Sequence, residues 1–417
     1  LDLFFSQGFD MRRPFIAFFH LIAVLVIASA LPSFALAADA RAIHERLLTL
    51  DTHLDTPANF RRPGWDMMDR HEVVDNFSQV DYPRMNDGGL DGGFFVIFTP
   101  QGTRDAEGFA AARDTALMRA TQIREMVSRH QDYFELAFQA DDAARIHGAA
   151  KRIVYQSIEN AYPLGTDLSL LKTFYDFGVR MVGPVHFRNN DFGDSSTDPG
   201  GPEWDGLSPL GRELVAEANR LGIVLDASHA SDAVLSQMID LSETPIILSH
   251  TGCKAIWDHP RNVDDALLVK LADAGGVIQM NAYSDYMLEV PENPELEAGM
   301  DALQEQYGPM RLLEGEELSS YAAERRALEA LHPDPRADFD DFMEHLLHAL
   351  ALVGPDHVGI GLDMDGGGGV TGLEDVADVP KITERLLAEG YSEDDLAKIW
   401  SGNVLRLLRE AEAHAAL

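Results

Sequence analysis

Six short apolar runs in this chain each end in a side chain able to bind a metal ion or move a proton. LLTLDTHLD delivers His53 and Asp55, RIVYQSIEN delivers Glu159, and VRMVGPVHF delivers His186. GIVLDASH delivers His229, PIILSH delivers His250, and DHVGIGLDMD delivers Asp363. Imidazoles mixed with carboxylates are the donor set of zinc and similar divalent ions. One such residue alone reads more simply as a hydrogen-bonded core group. Structural histidines have no reason to collect at strand ends, so the joint pattern points to a metal-dependent hydrolase.

A β-branched run that stops at a polar residue is a buried parallel strand whose carboxyl end opens into a site. Periodicity gives strands near 47–53, 92–98, 153–158, 180–186, 222–228, 245–249, 276–281 and 357–362. Helical patterns fall at 104–130, 166–177, 208–220, 231–241, 264–274, 338–352 and 378–389, with 392–411 closing the chain. Ser208-Pro209 opens one helix as N-cap and first-turn proline. Eight strands alternating with helices predict a (β/α)8 TIM barrel. The competing open doubly wound sheet would concentrate its site at one switch point and open its first helix with G-x-G-x-x-G, which is missing here. The Glu- and Pro-rich stretch 287–337 reads as an insertion between strands seven and eight.

The 417 residues carry 33 Lys+Arg against 69 Asp+Glu, a formal charge of −36. Such a surface repels nucleic acid and anionic membrane. Cys253 is the only cysteine, so no intrachain disulfide forms. Met11, Arg12 and Arg13 precede an apolar stretch from about Phe15 to Ala30, followed by Ala35-Leu36-Ala37. That order is a secretory signal peptide over 11–37, with residues 1–10 an over-extended start and 38–417 one catalytic domain. The apolar stretch is shorter than the ~20 residues that span a bilayer. The expectation is an exported protein, periplasmic in a Gram-negative bacterium, without stable membrane insertion after cleavage.

His53 and Asp55 are two apart and so face one side of a strand, where they can hold one ion. A second ion needs a bridging group. Strand four, RMVGPVHF, lacks the lysine that many barrel hydrolases carbamylate, and Glu159 at the end of strand three is the bridge in its place. His229 and His250 would complete the second site.

These residues also carry a resemblance. DTHLD, the Glu of SIEN, VHFRNN, LDASH, LSH, HPRNVDD, NAYSDY and GIGLDMDG stand in the order and spacing of the motifs of the membrane (renal) dipeptidase family, over about Leu48 to Leu408. The resemblance implies a zinc dipeptidase on a (β/α)8 barrel, usually a homodimer. Two zinc ions would be held by His53, Asp55, Glu159, His229 and His250, bridged by Glu159 and a hydroxide. It places His186, Arg261, Tyr286 and Asp363 at substrate-handling positions, with His186 and Asp363 catalytic. In chemical terms, Asp363 would pass a proton to the leaving amine. His186 would donate to the oxyanion, and Arg261, partnered by Tyr286, would grip the free carboxylate of a small dipeptide. The resemblance further implies tolerance of a D-residue at the carboxyl side. The chain departs from the family pattern at Thr52, Leu54 and Asn160, and Asn160 with the loop AYPLG is expected to border the substrate pocket. Two readings compete: another amidohydrolase-type metallohydrolase acting on a lactone, phosphoester or N-acyl amino acid, and a non-catalytic binder. His44, His71, His130, His147, His259, His345 and His357 match no motif and read as structural or exposed.

Overall fold

In the computed structural model, which describes residues 39–333 and 335–415, nine strands run parallel wherever they pair. They are β1 (Leu50–Leu54), β2 (Gly92–Ile97), β3 (Phe134–Leu136), β4 (Arg152–Ile158), β5 (Val179–Val182), β6 (Val224–Leu225), β7 (Ile247–Thr251), β8 (Val277–Met280) and β9 (Val358–Ile360). The order β1-β2-β4-β5-β6 continues into β7-β8-β9 through a parallel bridge from Asp226 to Ile247. A second bridge, Leu54 to Met364, returns the last strand to the first and closes the ring. Eight strands therefore form the expected barrel. β3 is an extra strand: it pairs with the amino-terminal half of β4 on the side that β5 takes further along. The leader over 11–37 and the over-extended start over 1–10 lie outside the described residues.

Local chemistry sets the helix ends. The Ser208 side chain accepts from Gly211 N ahead of helix Pro209–Leu221, and Gly222 stops that helix at φ 74°. Asp264 caps helix Asp265–Asp273 in the same way, accepting from Leu267 N. The closing helix expected over 392–411 contains one π turn, Lys398–Gly402, between Glu393–Ala397 and Asn403–Ala415. The wider turn lets Trp400 Nε1 reach Thr383 Oγ1 at 2.8 Å and Asn403 Nδ2 reach the carbonyls of Pro355 and Val358.

Two apolar masses sandwich the strands. The larger lies between the barrel and its outer helices. The second collects residues such as Leu50, Tyr155, Val224 and Val277 against Val404, Leu407 and Leu408 of the closing helix. The insertion forms two helices, Pro294–Tyr307 and Gly315–Leu331, joined by the 3-10 turn Met310–Leu312, with a small core of its own around Leu303, Leu313 and Tyr321. Cys253 is fully buried beside His345, whose Nδ1 accepts from Cys253 N at 2.9 Å. No helix among the described residues is long and apolar enough to cross a membrane.

Candidate metal centre

The carboxyl ends of the strands bring the sequence-predicted ligands to one point. Glu159, one residue past β4, sets its Oε1 at 3.6 Å from His53 Nε2, 3.1 Å from His229 Nε2 and 3.8 Å from His250 Nε2. His186 Nε2, expected as an oxyanion donor, also comes within 3.3 Å of that oxygen. On the other side of His53, Asp55 Oδ2 stands 3.5 Å from Nε2, and Asp363 joins the same group. Three sets of donor atoms could each hold an ion: His53, Glu159 and His250; Glu159, His186 and His229; and His53, Asp55 and Asp363.

The second set departs from the expected division, because His186 rather than His250 accompanies His229. The rings explain this: His53 and His250 stack with centroids 3.7 Å apart, and His186 packs at 4.1 Å from His229.

Four of these groups, His53, Glu159, His229 and His250, are only 1–6% exposed. Burial first, then Arg261 near His229 and His53 near His250, drive both of those imidazoles well below their usual pKa. They are neutral, the form that ligates a cation. Burial also opposes charge on His53, but Glu159, Asp55 and Asp363 outweigh it and raise its pKa to about 10. Yet His53 Nε2 has no hydrogen-bond partner. A buried polar atom aimed at converging carboxylates and without a hydrogen bond is placed to ligate a cation. The donor set fits a divalent metal ion.

Two buried carboxylates unnoticed in the sequence hold this geometry. Asp226 accepts from the main-chain N of Ser228 and Ser249 at 3.0 Å each and from both hydroxyls. The Ser249 hydroxyl, by donating to Asp226, is left to accept from His250 Nδ1 at 2.9 Å, so Nε2 faces the cluster with its lone pair. Asp51 accepts from His53 N at 2.8 Å and Leu362 N at 3.1 Å, tying the first strand to the last. Burial pushes its carboxyl up to about 7. Both residues stand inside the motifs, in LDTHL and LDASH, and that adjacency was the available signal.

Asp363 sits past β9 with φ 62°, a conformation an L-residue rarely adopts. Its pKa is pushed upward by burial, His53 pulling it down and Asp55 and Glu159 adding to the rise. A Cβ on Gly366 would lie 2.2 Å from both Asp363 Oδ1 and Asp55 Oδ2, so only glycine lets this loop approach the two carboxylates.

Arg261 is 2% exposed, and its two Nη groups donate to the carbonyls of Ser228 and His250. The two-pronged grip on substrate expected of it is therefore engaged by main chain, and Nε alone lacks a partner. Its guanidinium lies 5.0 Å from the Tyr286 ring, as the expected pairing required. The cavity over the cluster, about 280 Å³, is lined by Tyr286, Tyr283, His186, Phe98, Phe187 and Arg311, among others. Asn160 and the AYPLG loop do not line it. Asn160 turns inward instead, donating to Thr99 O and accepting from Tyr162 N. Of the unmatched histidines, His44, His71 and His345 make buried or half-buried hydrogen bonds away from the centre.

The family model for membrane dipeptidase (peptidase family M19) matches residues 37–417. This chain belongs to the M19 membrane dipeptidase family. It is 31% identical to dipeptidase tcpJ of Claviceps purpurea over 343 residues, covering 81% of this chain and 70% of that protein. The crystal structure of the probable dipeptidase PvdM from Pseudomonas aeruginosa superposes with a TM-score of 0.77 at 30% identity, covering 91% of this chain and 99% of PvdM. A metallopeptidase from Rhodobacter sphaeroides, solved with a phosphinate mimic of L-Ala-D-Ala, shares the fold at TM-score 0.67 and 24% identity, over 88% and 99% of the two chains. The M19 chain is thus a hydrolase of the metallopeptidase class, with its candidate ligands gathered at the carboxyl face of a TIM barrel.

Proposed function

We propose that this M19 chain is a binuclear zinc dipeptidase that hydrolyses free dipeptides, including those with a D-residue at the carboxyl side. The observation that carries it is the approach of four imidazole Nε2 atoms to within 3.1–3.8 Å of one Glu159 oxygen. His53, Asp55, Glu159, His229 and His250 would hold the ions. Two bound zinc ions supply Lewis acidity and an acidified water at neutral pH.

The chain's own groups do the rest. Asp363, raised in pKa by burial, is suited to accept a proton and return it to the leaving amine. His186 on the cavity wall donates to the oxygen that becomes negative. Arg261 places a fixed positive charge behind His229 and His250, and Tyr286 lines the cavity, so a substrate carboxylate would be received on that side. The small cavity suits two residues. The D-residue reading agrees with the ligand seen in the Rhodobacter sphaeroides enzyme. The apolar leader and A-x-A site support export to a periplasm, and the family resemblance supports a homodimer.

Metal analysis of purified protein, paired with a panel of free, amino-blocked and longer peptides, tests this reading. The expected result is two zinc ions per chain and cleavage of free dipeptides alone. Glu159→Gln is expected to lower metal content and reduce hydrolysis to background. Rapid lactone or phosphotriester turnover beside inert dipeptides would replace the proposal with the other amidohydrolase reading.

A further inference from the structure

The dipeptidase reading leaves one wall of the cavity without a role. Arg311 reaches it from the 3-10 turn of the insertion, and Nη2 donates to the Asp365 carbonyl at 3.1 Å. Among the described residues, no carboxylate oxygen comes within 4.0 Å of its guanidinium.

Three more arginines lie on or against the segment 57–62, whose Ala58 lines the cavity. Arg62 donates to Asn59 Oδ1 at 3.3 Å and Arg119 to Pro57 O, while Arg61 is exposed. None of the three makes an ion pair among the described residues. Burial lowers the pKa of Arg119 to about 10, with Arg311 and Arg61 adding to the fall and Asp55 opposing it. Burial lowers Arg62 as well, Asp365 opposing and Arg311 adding. The nearby acids are already engaged: Asp55 beside His53, and Asp365 by Thr56 Oγ1 and Gln79 N. Arg311 is the arginine among the residues that line the cavity; of the four carboxylates there, Asp55, Glu159 and Asp363 belong to the metal cluster and Asp365 is held by Thr56 and Gln79, which leaves the Arg311 charge free for a ligand.

We propose that Arg311, reinforced by Arg61, Arg62 and Arg119, selects dipeptides that carry an acidic side chain. The guanidinium fork matches a side-chain carboxylate, while the terminal carboxylate goes to the Tyr286 and His186 side. Placement on an insertion loop at the carboxyl face suits a specificity determinant, because such loops vary without disturbing the barrel. The inference rests on the dipeptidase reading.

The test compares Ala-Ala, Glu-Ala, Ala-Glu, Lys-Ala and Ala-Lys, with both stereoisomers at the second position, on metal-loaded wild type, Arg311→Gln, Arg311→Glu and Arg311→Lys. Wild type is expected to prefer one acidic dipeptide over Ala-Ala by about tenfold or more in kcat/KM. Arg311→Gln should erase that preference through KM and leave Ala-Ala unchanged. Arg311→Glu should shift preference toward the lysine peptide, and Arg311→Lys should restore part of the acidic preference. Equal cleavage of neutral and acidic dipeptides by wild type, or equal losses for all peptides in Arg311→Gln, overturns the inference alone. Inertness toward every dipeptide overturns it together with the dipeptidase reading.

Discussion

The two ends of the barrel strands are equally buried and chemically opposite. At the amino ends, Leu50, Phe94, Tyr155, Val224, Ile247 and Val277 pack against Val404, Leu407 and Leu408, each 2% exposed or less. At the carboxyl ends the same strands lead into His53, Glu159, His229 and His250, nearly as hidden from water but polar, with His53 Nε2 and His229 Nδ1 lacking partners. Burying unpaired polar groups costs stability, whereas burying hydrocarbon supplies it. One end therefore stabilises a ring whose other end carries the buried polar groups of the site. This division lets loops at the reactive face change without loss of fold.

Mutations at the two ends should separate in what they alter. The largest effect is expected at the polar end: Asp363→Asn should lower kcat by about 10²–10⁴-fold while bound metal, measured by elemental analysis, stays constant. Full activity in that variant would remove Asp363 from proton transfer. Next, Ser249→Ala deletes the bond that orients His250. A fall of roughly 10–100-fold in metal affinity, read by chelator competition, is expected. Unchanged affinity would show that packing alone sets the ring. At the apolar end, Leu408→Ala should cost about 2–5 kcal/mol in urea unfolding with kcat/KM preserved while folded. A matching loss of activity would mean that the two ends are coupled.

The smallest effect lies outside both ends. Burial lowers the pKa of His345 to about 4, Met287 O opposing the fall and His348 adding to it. The folded state then binds fewer protons than the unfolded chain between about pH 4 and 6.5, so stability is present above that window and lost as pH falls through it. This single group should account for roughly 3 kcal/mol between pH 7 and 4. His345→Gln should flatten the slope of unfolding free energy against pH; an unaltered slope would assign the acid sensitivity to other residues.

The barrel was legible because its strands are apolar runs that stop at polar residues, a pattern carried by neighbouring positions. β3 was not, since Phe134–Leu136 is three residues long and has no period to read. The insertion was located by composition, but its two helices, Glu-rich with a small core, escaped the apolar-stripe test. At the site, His53, Glu159, His229 and His250 announced themselves as strand-end ligand types. Asp226 and Asp51 were hidden by standing beside them, because a carboxylate that accepts main-chain N–H groups is recognised only after the chain turns back. Phe98, at the end of the run 92–98, was passed over because an apolar side chain is not a ligand type, and Arg311 reaches the cavity from the insertion, whose return to the barrel no local window contains.

Cys253 has a practical consequence. Its sulfur is sealed in the core and its pKa is raised to about 12 by burial, so the nucleophilic thiolate is scarce and out of reach. The folded enzyme should be indifferent to the redox state of its surroundings, migrating identically on reducing and non-reducing gels and resisting alkylation until it unfolds.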